Sequence, residues 1–348
     1  MEERALTKPR PRRPGRAVTI QDVARVAGVS NGTVSRVING HDWVSAKTRA
    51  AVLEAVESTG FVASASARSL VNSRTGLIAF VLGAPPVRLF EDPNYAVLLQ
   101  VVGEELAKHD YAPMLLTAAS PSERARVARF VNAGHVDGVI LVSVGEGEND
   151  ELTALLTNHR MPAIACGHPF SGEDPLPFVA ADDAPGARQL ARHFVARGYR
   201  QTAVIASHLE TSGTQSRVAA FTDAAPGLVQ KDRIIDAGEY SRAAGRAAMQ
   251  RLLTKHPGID SVFAASDLLA AGALDVLHES RIPVPGQIAL AGFDDSTIAE
   301  QTSPQLTTVR QSLADVARQM VVQLKIGLDG GAMASVTVPT SLVIRESA

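Results

Sequence analysis

From Thr75 onward, short β-branched and apolar runs alternate with helix-period patterns, and this alternation constrains the chain most. Strand-helix-strand units build parallel sheets whose faces are covered by helices. The expected strands are Leu77 to Leu82, Pro113 to Leu116, Gly138 to Val142, Ala163 to Cys166, Phe178 to Ala180, Thr202 to Ile205, Ser261 to Ala264, Ile288 to Ala291 and Thr307 to Val309. Helices fall between them, as at Tyr95 to His109 and Ala184 to Arg197. So many strands exceed one compact parallel sheet. The expected architecture is therefore α/β, with two doubly wound lobes.

A different pattern precedes this body. In Val18 to Asn39, Thr19 can cap a first helix with Asp22 near its positive end, and Ile20, Val23, Ala24 and Ala27 recur at i, i+3, i+4 and i+7. Gly28 supplies a tight turn, Ser30 can cap a second helix, and Val34, Val37 and Ile38 form that helix's buried stripe. A third capped helix starts at Ser45. This all-α helix-turn-helix leaves Asn31, Gly32, Ser35, Arg36 and Asn39 on the second helix's open face. Arginine can fork onto guanine and asparagine onto adenine in a major groove, so the pattern predicts a reader of double-stranded DNA. Thr19, Gln21, Ser30 and Thr33, near the helix starts, complete the candidate contacts. The competing interpretation is the solvated face of a small helical bundle.

Charge favours the DNA reading. Residues 1 to 74 carry 12 Lys+Arg against 6 Asp+Glu, or +6, and the remainder carries 22 against 30, or −8. A basic module on an acidic body favours phosphate contact at one end only. Residues 1–16 are rich in proline and arginine, lack the apolar area to fold, and are expected to form a flexible basic arm. Cys166, the single cysteine, excludes an internal disulfide and reads as a strand residue. No apolar run of about 18 residues and no leader pattern is visible, so a cytoplasmic protein without membrane contact is expected.

Catalysis finds no support. Gly83-Ala84-Pro85 lacks the spaced glycines of a dinucleotide loop, no GxxxxGK[ST] is present, and the histidines are scattered. No catalytic residue, metal site or cofactor is assigned. Binding is better supported, because in open α/β sheets ligands sit beyond the carboxyl ends of strands. Ser266 and Asp267 follow one expected strand, Asp294 and Asp295 follow another, and Arg217 opens a helix after a third. Carboxylates and a guanidinium converging on a cleft suit hydroxyl-rich ligands. Asp267 could instead cap its helix.

The stretch from Thr19 to Asn39, continued by Val44-Ser45-Ala46-Lys47-Thr48-Arg49, closely resembles the lactose-repressor (LacI/GalR) family of transcriptional regulators. The resemblance implies an N-terminal DNA-binding domain over 17–62, a hinge over 63–75, and a two-lobed, periplasmic-binding-protein-like body over 76–348 for effector binding and dimerisation. The chain would cross between lobes near Phe178, Thr307 and Val336, giving an N-lobe of about 76–178 and 307–335 and a C-lobe of about 179–306 and 336–348. Leu70 stands where the family wedges a leucine into the minor groove, and Ala63 where many relatives have proline.

By the same resemblance, Arg217 in Ser216-Arg217-Val218-Ala219-Ala220-Phe221 and Asp294 in Gly292-Phe293-Asp294-Asp295 match effector-binding residues. Tyr240 and Tyr95 stand where relatives place aromatic contacts, and Ser266-Asp267 replaces a common Asn-Asp. The implied function is a ligand-responsive repressor, binding a pseudo-palindromic operator as a homodimer, with a small polar effector, a carbohydrate. The alternative within that class is a corepressor-type regulator sensing a purine or other non-sugar metabolite. The alternative outside it, a solute-binding protein, calls for a signal peptide and no helix-turn-helix. Thr337 to Ala348 reads as a final strand and tail without leucine heptads, which favours a dimer over a tetramer.

Overall fold

The structure is a computed structural model that describes residues 18–38, 43–61, 74–142, 151–158, 161–168 and 176–348. The basic arm, Asn39, Ala63 and Leu70 lie outside the described residues. The chain divides into two compact units, Met1–Thr75 and Gly76–Ala348.

In the first unit, α1 (Ile20–Ala27), α2 (Asn31–Ile38) and α3 (Ala46–Thr59) pack around Val23, Ala24, Val34, Val37, Val52 and Ala55. Asp22 reaches back to the start of α1, where its Oδ2 accepts from the Thr19 amide at 3.0 Å and the Thr19 hydroxyl at 2.8 Å. Gly28 closes α1 with φ at 65°, the left-handed turn that only glycine adopts freely. Ser30 starts α2, its Oγ accepting from the Thr33 amide at 3.1 Å, and Ser45 caps α3 in the same way through Thr48 at 3.2 Å.

The second unit begins with β1 (Leu77–Leu82), α4 (Arg88–Glu91), α5 (Pro93–Ala107), β2 (Ala112–Thr117), α6 (Pro121–Asn132), β3 (Gly138–Val142), α7 (Glu151–Asn158), β4 (Ala163–Cys166) and β5 (Phe178–Asp182). It continues through α8 (Asp183–Ala196), β6 (Thr202–Ala206), α9 (Ser212–Ala224), β7 (Val229–Asp236), α10 (Arg242–Lys255), β8 (Ser261–Ala264), α11 (Asp267–Glu279), β9 (Ala289–Asp294) and α12 (Thr297–Gln301). β10 (Thr307–Gln311), α13 (Leu313–Leu328) and β11 (Val336–Val343) complete it. Strand order is β2-β1-β3-β4-β5-β11-β10-β9-β8-β6-β7, so β11 joins two sheets. Its first half runs parallel to β5, and its second half pairs antiparallel with β10, the one antiparallel pair among the described residues.

Each sheet is covered on both faces, which explains the continuous apolar runs of its inner strands. In β1, Ile78, Phe80 and Leu82 pack with α5 and α13 residues such as Leu98, Val102, Met320 and Leu324. Ala79 and Val81 face the other way, toward Val127, Val131, Leu152 and Leu156 of α6 and α7. β6 divides likewise, with Ala203 and Ile205 on one side and Val204 and Ala206 on the other.

β5 remains paired in the first sheet to Asp182, β10 stays in the second to Gln311, and β11 changes sheet between Pro339 and Thr340. The expected crossing points near Phe178, Thr307 and Val336 fall at the starts of these three strands. β7 was not among the expected strands. It is a sheet edge with exposed Gln230, Lys231 and Asp232, and its pairing with β6 shifts register between Thr202 and Val204. Edge charge and an irregularity erase the alternation a strand otherwise shows.

Candidate functional site

A cleft of about 1100 Å³ lies between the two lobes of the second unit. Arg217, on α9, is its central cation. Its Nε stands 3.2 Å from Asp183 Oδ2, and its Nη1 stands 3.5 Å from Asp294 Oδ1 and donates to the Ala265 carbonyl at 2.8 Å. Its guanidinium carbon sits 3.9 Å from the centre of the Phe293 ring, a cation-π contact in a desolvated place. Only 14% of the Arg217 side chain is exposed, against 6% for Asp183 and 7% for Asp294. Burial opposes the arginine's charge, yet the two carboxylates outweigh it and hold the guanidinium firmly protonated. Burial pushes both aspartates upward, against the pull of Arg217.

The geometry follows from strand ends. β9 delivers Asp294 at its carboxyl end, where φ of 117° turns the backbone out of the strand. β5 ends at Asp182 and passes directly into α8, which places Asp183 in the first helical turn. From the opposite lobe, Asp92 caps α5 by accepting from the Asn94 amide at 3.0 Å. Burial raises the Asp92 pKa, with Arg88 pulling the other way. Asn94 Nδ2 donates across the cleft to Asp294 Oδ2 at 3.1 Å, and Gln311 Nε2 donates to Asp294 Oδ1 at 2.6 Å. A second link joins the lobes where the Ser212 hydroxyl donates to the His168 carbonyl at 3.4 Å.

Of the residues expected here from sequence, Tyr95, Arg217, Tyr240, Ser266 and Asp294 line the cleft. The Tyr240 hydroxyl lies 2.6 Å from Thr214 Oγ1, which fixes the ring's edge. Ser266 Oγ accepts from the Leu269 amide at 3.2 Å and so caps α11 while facing the cleft. Asp267 departs from expectation. It is fully buried, absent from the lining, and its oxygens accept from Thr308 Oγ1 at 2.7 Å, the Ser296 amide at 2.8 Å and the Ser296 hydroxyl at 3.0 Å. It braces α11, α12 and β10 from the first turn of α11, and Ser266, not Asp267, is the cap.

Sequence reasoning missed Asp92, Asn94, Asp183 and Gln311. Asp92-Pro93-Asn94 reads as a helix start, and that signal hides a side chain aimed across lobes. Asp183 could have been found as an acidic residue immediately after a strand, the criterion that singled out Asp294. Cys166 lines the cleft, and burial pushes its thiol up to about 12, which suits an inert residue. Among the described residues no cluster of His, Cys, Asp or Glu could hold a metal ion, and no helix is long and apolar enough to cross a membrane.

In the first unit, Gln21, Ser30, Asn31, Gly32 and Arg36 are exposed, and Thr19, Thr33 and Ser35 are half-buried. The Ser30 and Thr33 hydroxyls are 2.9 Å apart at the start of α2. Val34 and Val37 point into the core and Ile38 packs against it, which leaves Asn31, Gly32, Ser35 and Arg36 on the open polar face of α2.

Comparisons with known proteins agree with both units. The family model for bacterial regulatory proteins of the lacI family matches residues 19–64, and that for a periplasmic binding protein-like domain matches residues 191–348. The HTH-type transcriptional regulator CelR of Thermobifida fusca is 36% identical over 343 residues, covering 97% of this chain and 99% of that one. GalR of Escherichia coli (strain K12) is 31% identical, with 86% of each chain covered. A solved structure of a transcriptional regulator CelR-cellobiose complex superposes with a TM-score of 0.74 at 33% identity, covering 95% of this chain and all of that one. The Lac repressor dimer bound to operator and the anti-inducer ONPF shares the fold, with a TM-score of 0.82 at 24% identity over 95% of this chain and 99% of that one. These relatives are regulators and not enzymes. With such identity running through both the helical unit and the two-lobed body, the chain belongs to the lacI family of bacterial regulatory proteins and is a DNA-binding transcriptional regulator.

Proposed function

We propose that the chain is a cytoplasmic repressor that binds a pseudo-palindromic operator as a homodimer, and that a neutral sugar of disaccharide size, held between its lobes, sets operator affinity. The observation that carries the effector reading is the polar centre at Arg217, flanked by Asp183 and Asp294. Carboxylates accept hydroxyl hydrogens and a guanidinium donates in a planar fork, so the trio suits vicinal hydroxyls. Tyr95 and Tyr240 line the same cleft and add aromatic surface to it. The lining holds three guanidiniums, of Arg88, Arg124 and Arg217, against four carboxylates, of Asp92, Asp183, Asp294 and Glu239. That near balance favours a neutral ligand over a phosphorylated one. The volume of about 1100 Å³ leaves room for a disaccharide. CelR, a relative whose structure contains cellobiose, makes that sugar the first to test.

The test is a thermal-shift screen of the full chain against cellobiose, galactose, ribose and guanosine, since a ligand that binds only the folded state raises the melting temperature with concentration. Cellobiose should give the largest rise, and Asp294→Ala should abolish it while leaving DNA binding intact. A rise with guanosine alone would support the corepressor alternative instead. A free-standing solute-binding protein is disfavoured by the helix-turn-helix match at 19–64.

On the DNA side, Arg36 is assigned to a base edge, with Asn31 and Ser35 orienting α2, and Thr19, Gln21, Ser30, Thr33 and Asn39 as further contacts. Gly32 offers no side chain, so direct readout there is weak. Leu70 is assigned the minor-groove wedge. Arg36→Ala should cost about 1–3 kcal/mol on a duplex selected by the wild-type chain and much less on a scrambled one. Leu70→Ala should leave fold and dimer unchanged and reduce the DNA bend in a gel permutation assay.

A further inference from the structure

The chain's only tryptophan, Trp43, stands 73% exposed in the short connection before α3. Its neighbour Val44 packs on the helical core, whereas the indole turns outward. A ring of that size left in water on so small a unit calls for an explanation. One lies on the same surface, where the Arg36 guanidinium carbon sits over the indole, 5.0 Å from the ring centre, inside the ~6 Å range of a cation-π contact. Arg36 is exposed on α2, next to the buried Val37.

We infer that Trp43 is a positioning residue for DNA recognition, a platform that holds the Arg36 guanidinium flat so that its edge is presented to a base. The inference rests on the proposed role of Arg36. The chemistry of the two contacts is compatible, because stacking uses the face of the guanidinium and a fork onto guanine uses N–H groups in its plane. A free arginine on a helix surface samples many rotamers and must surrender them on binding. Against an indole face, part of that ordering precedes DNA contact. Tryptophan is also the strongest cation-π partner among the aromatic side chains, so smaller rings should support Arg36 less well.

The test uses the full chain, a duplex that the wild type selects from a randomised pool, and a scrambled duplex of equal length, with affinities read by fluorescence anisotropy of labelled DNA. Trp43→Ala should lower the selected-to-scrambled affinity ratio roughly two- to tenfold. Trp43→Tyr should retain most of the ratio. In an Arg36→Ala background, Trp43→Ala should have no further effect on it, because the platform then has nothing to hold. An equal loss in that background would show that Trp43 touches DNA on its own account and would overturn the inference. Trp43→Ala without effect, beside a collapse in Arg36→Ala, would overturn it while leaving the role of Arg36 intact. If Arg36→Ala itself left the ratio unchanged, the reading of Arg36 would fall, and the platform with it. Intrinsic emission provides a second measurement, since the chain has a single tryptophan. Arg36→Ala should alter the emission of the free protein, and unchanged emission would deny the stack.

Discussion

Asp267 and Asp294 have the same side chain and both follow strands, yet their surroundings separate their roles. Asp294 faces the cleft beside Arg217 and takes donors from Asn94 and Gln311. Asp267 gives both oxygens to Thr308 and Ser296 and faces no ligand space. Asp267→Ala should therefore act on stability, leaving the buried Thr308 hydroxyl and the half-buried Ser296 amide and hydroxyl without their acceptor, at a cost of about 2–4 kcal/mol in urea unfolding of the chain. Burial pushes the Asp267 pKa up to about 7 from its ordinary 3.8, so the fold favours its protonated form. Its contribution is then complete below the unfolded value and is lost as pH rises through the folded one. The gap in urea midpoint between wild type and Asp267→Ala should accordingly be wider near pH 4 than near pH 7.5. An unchanged gap would mean that Asp267 does not titrate in this interval.

At the scale of elements, the strand at the junction of the two lobes is the most constrained. β11 leaves one sheet and enters the other at Pro339–Thr340, and α8 lies against that step through Gly186. The Gly186 amide donates to Thr340 Oγ1 at 3.1 Å, and a Cβ at Gly186 would stand 2.2 Å from Val309 Cγ1 and 2.7 Å from that same oxygen. Gly186→Ala should thus cost about 1–3 kcal/mol by overpacking, read as a lower urea midpoint, although alanine is the better helix former. Most of the element order was legible, because inner strands such as Leu77–Leu82 are apolar on both faces and the helices between them keep their period. β7 was not, since its solvated edge carries Gln230, Lys231 and Asp232 where an inner strand carries apolar residues. In the cleft, strand-end position and family resemblance led to Arg217 and Asp294. The Asn94–Asp294 bond spans 200 residues, and local sequence pattern cannot bring such partners together. Asp267 was misplaced for a related reason, because a carboxylate after a strand looks alike whether it turns to the cleft or to Ser296.

For the whole molecule, the proposed assembly and the proposed coupling make separate predictions. One helix-turn-helix buries too little DNA for high specificity, so two copies should meet two half-sites about one helical turn apart. Light scattering at micromolar concentration should give about twice 36.6 kDa, and a stable monomer or a tetramer would contradict the assembly. The coupling concerns the two lobes, which are linked at Asn94–Asp294 and at Ser212–His168 and share β11. Asp294 belongs to one of those links and is also a proposed ligand contact, so a sugar that takes its oxygens competes with Asn94 and Gln311. A ligand can shift the lobes only by the difference in its affinity for their arrangements, and the operator obeys the same condition. The two effects must then be equal in size, with about 1–3 kcal/mol expected for coupling of this kind. If cellobiose weakens binding to the selected duplex by a given factor, saturating duplex must weaken cellobiose binding by that factor in calorimetric titration. Asn94→Ala removes the link on one side and should change cellobiose affinity in the DNA-free protein, without lowering affinity for the scrambled duplex. A cellobiose affinity that is the same with and without saturating duplex would show that the cleft does not control DNA binding, whatever sugar it holds.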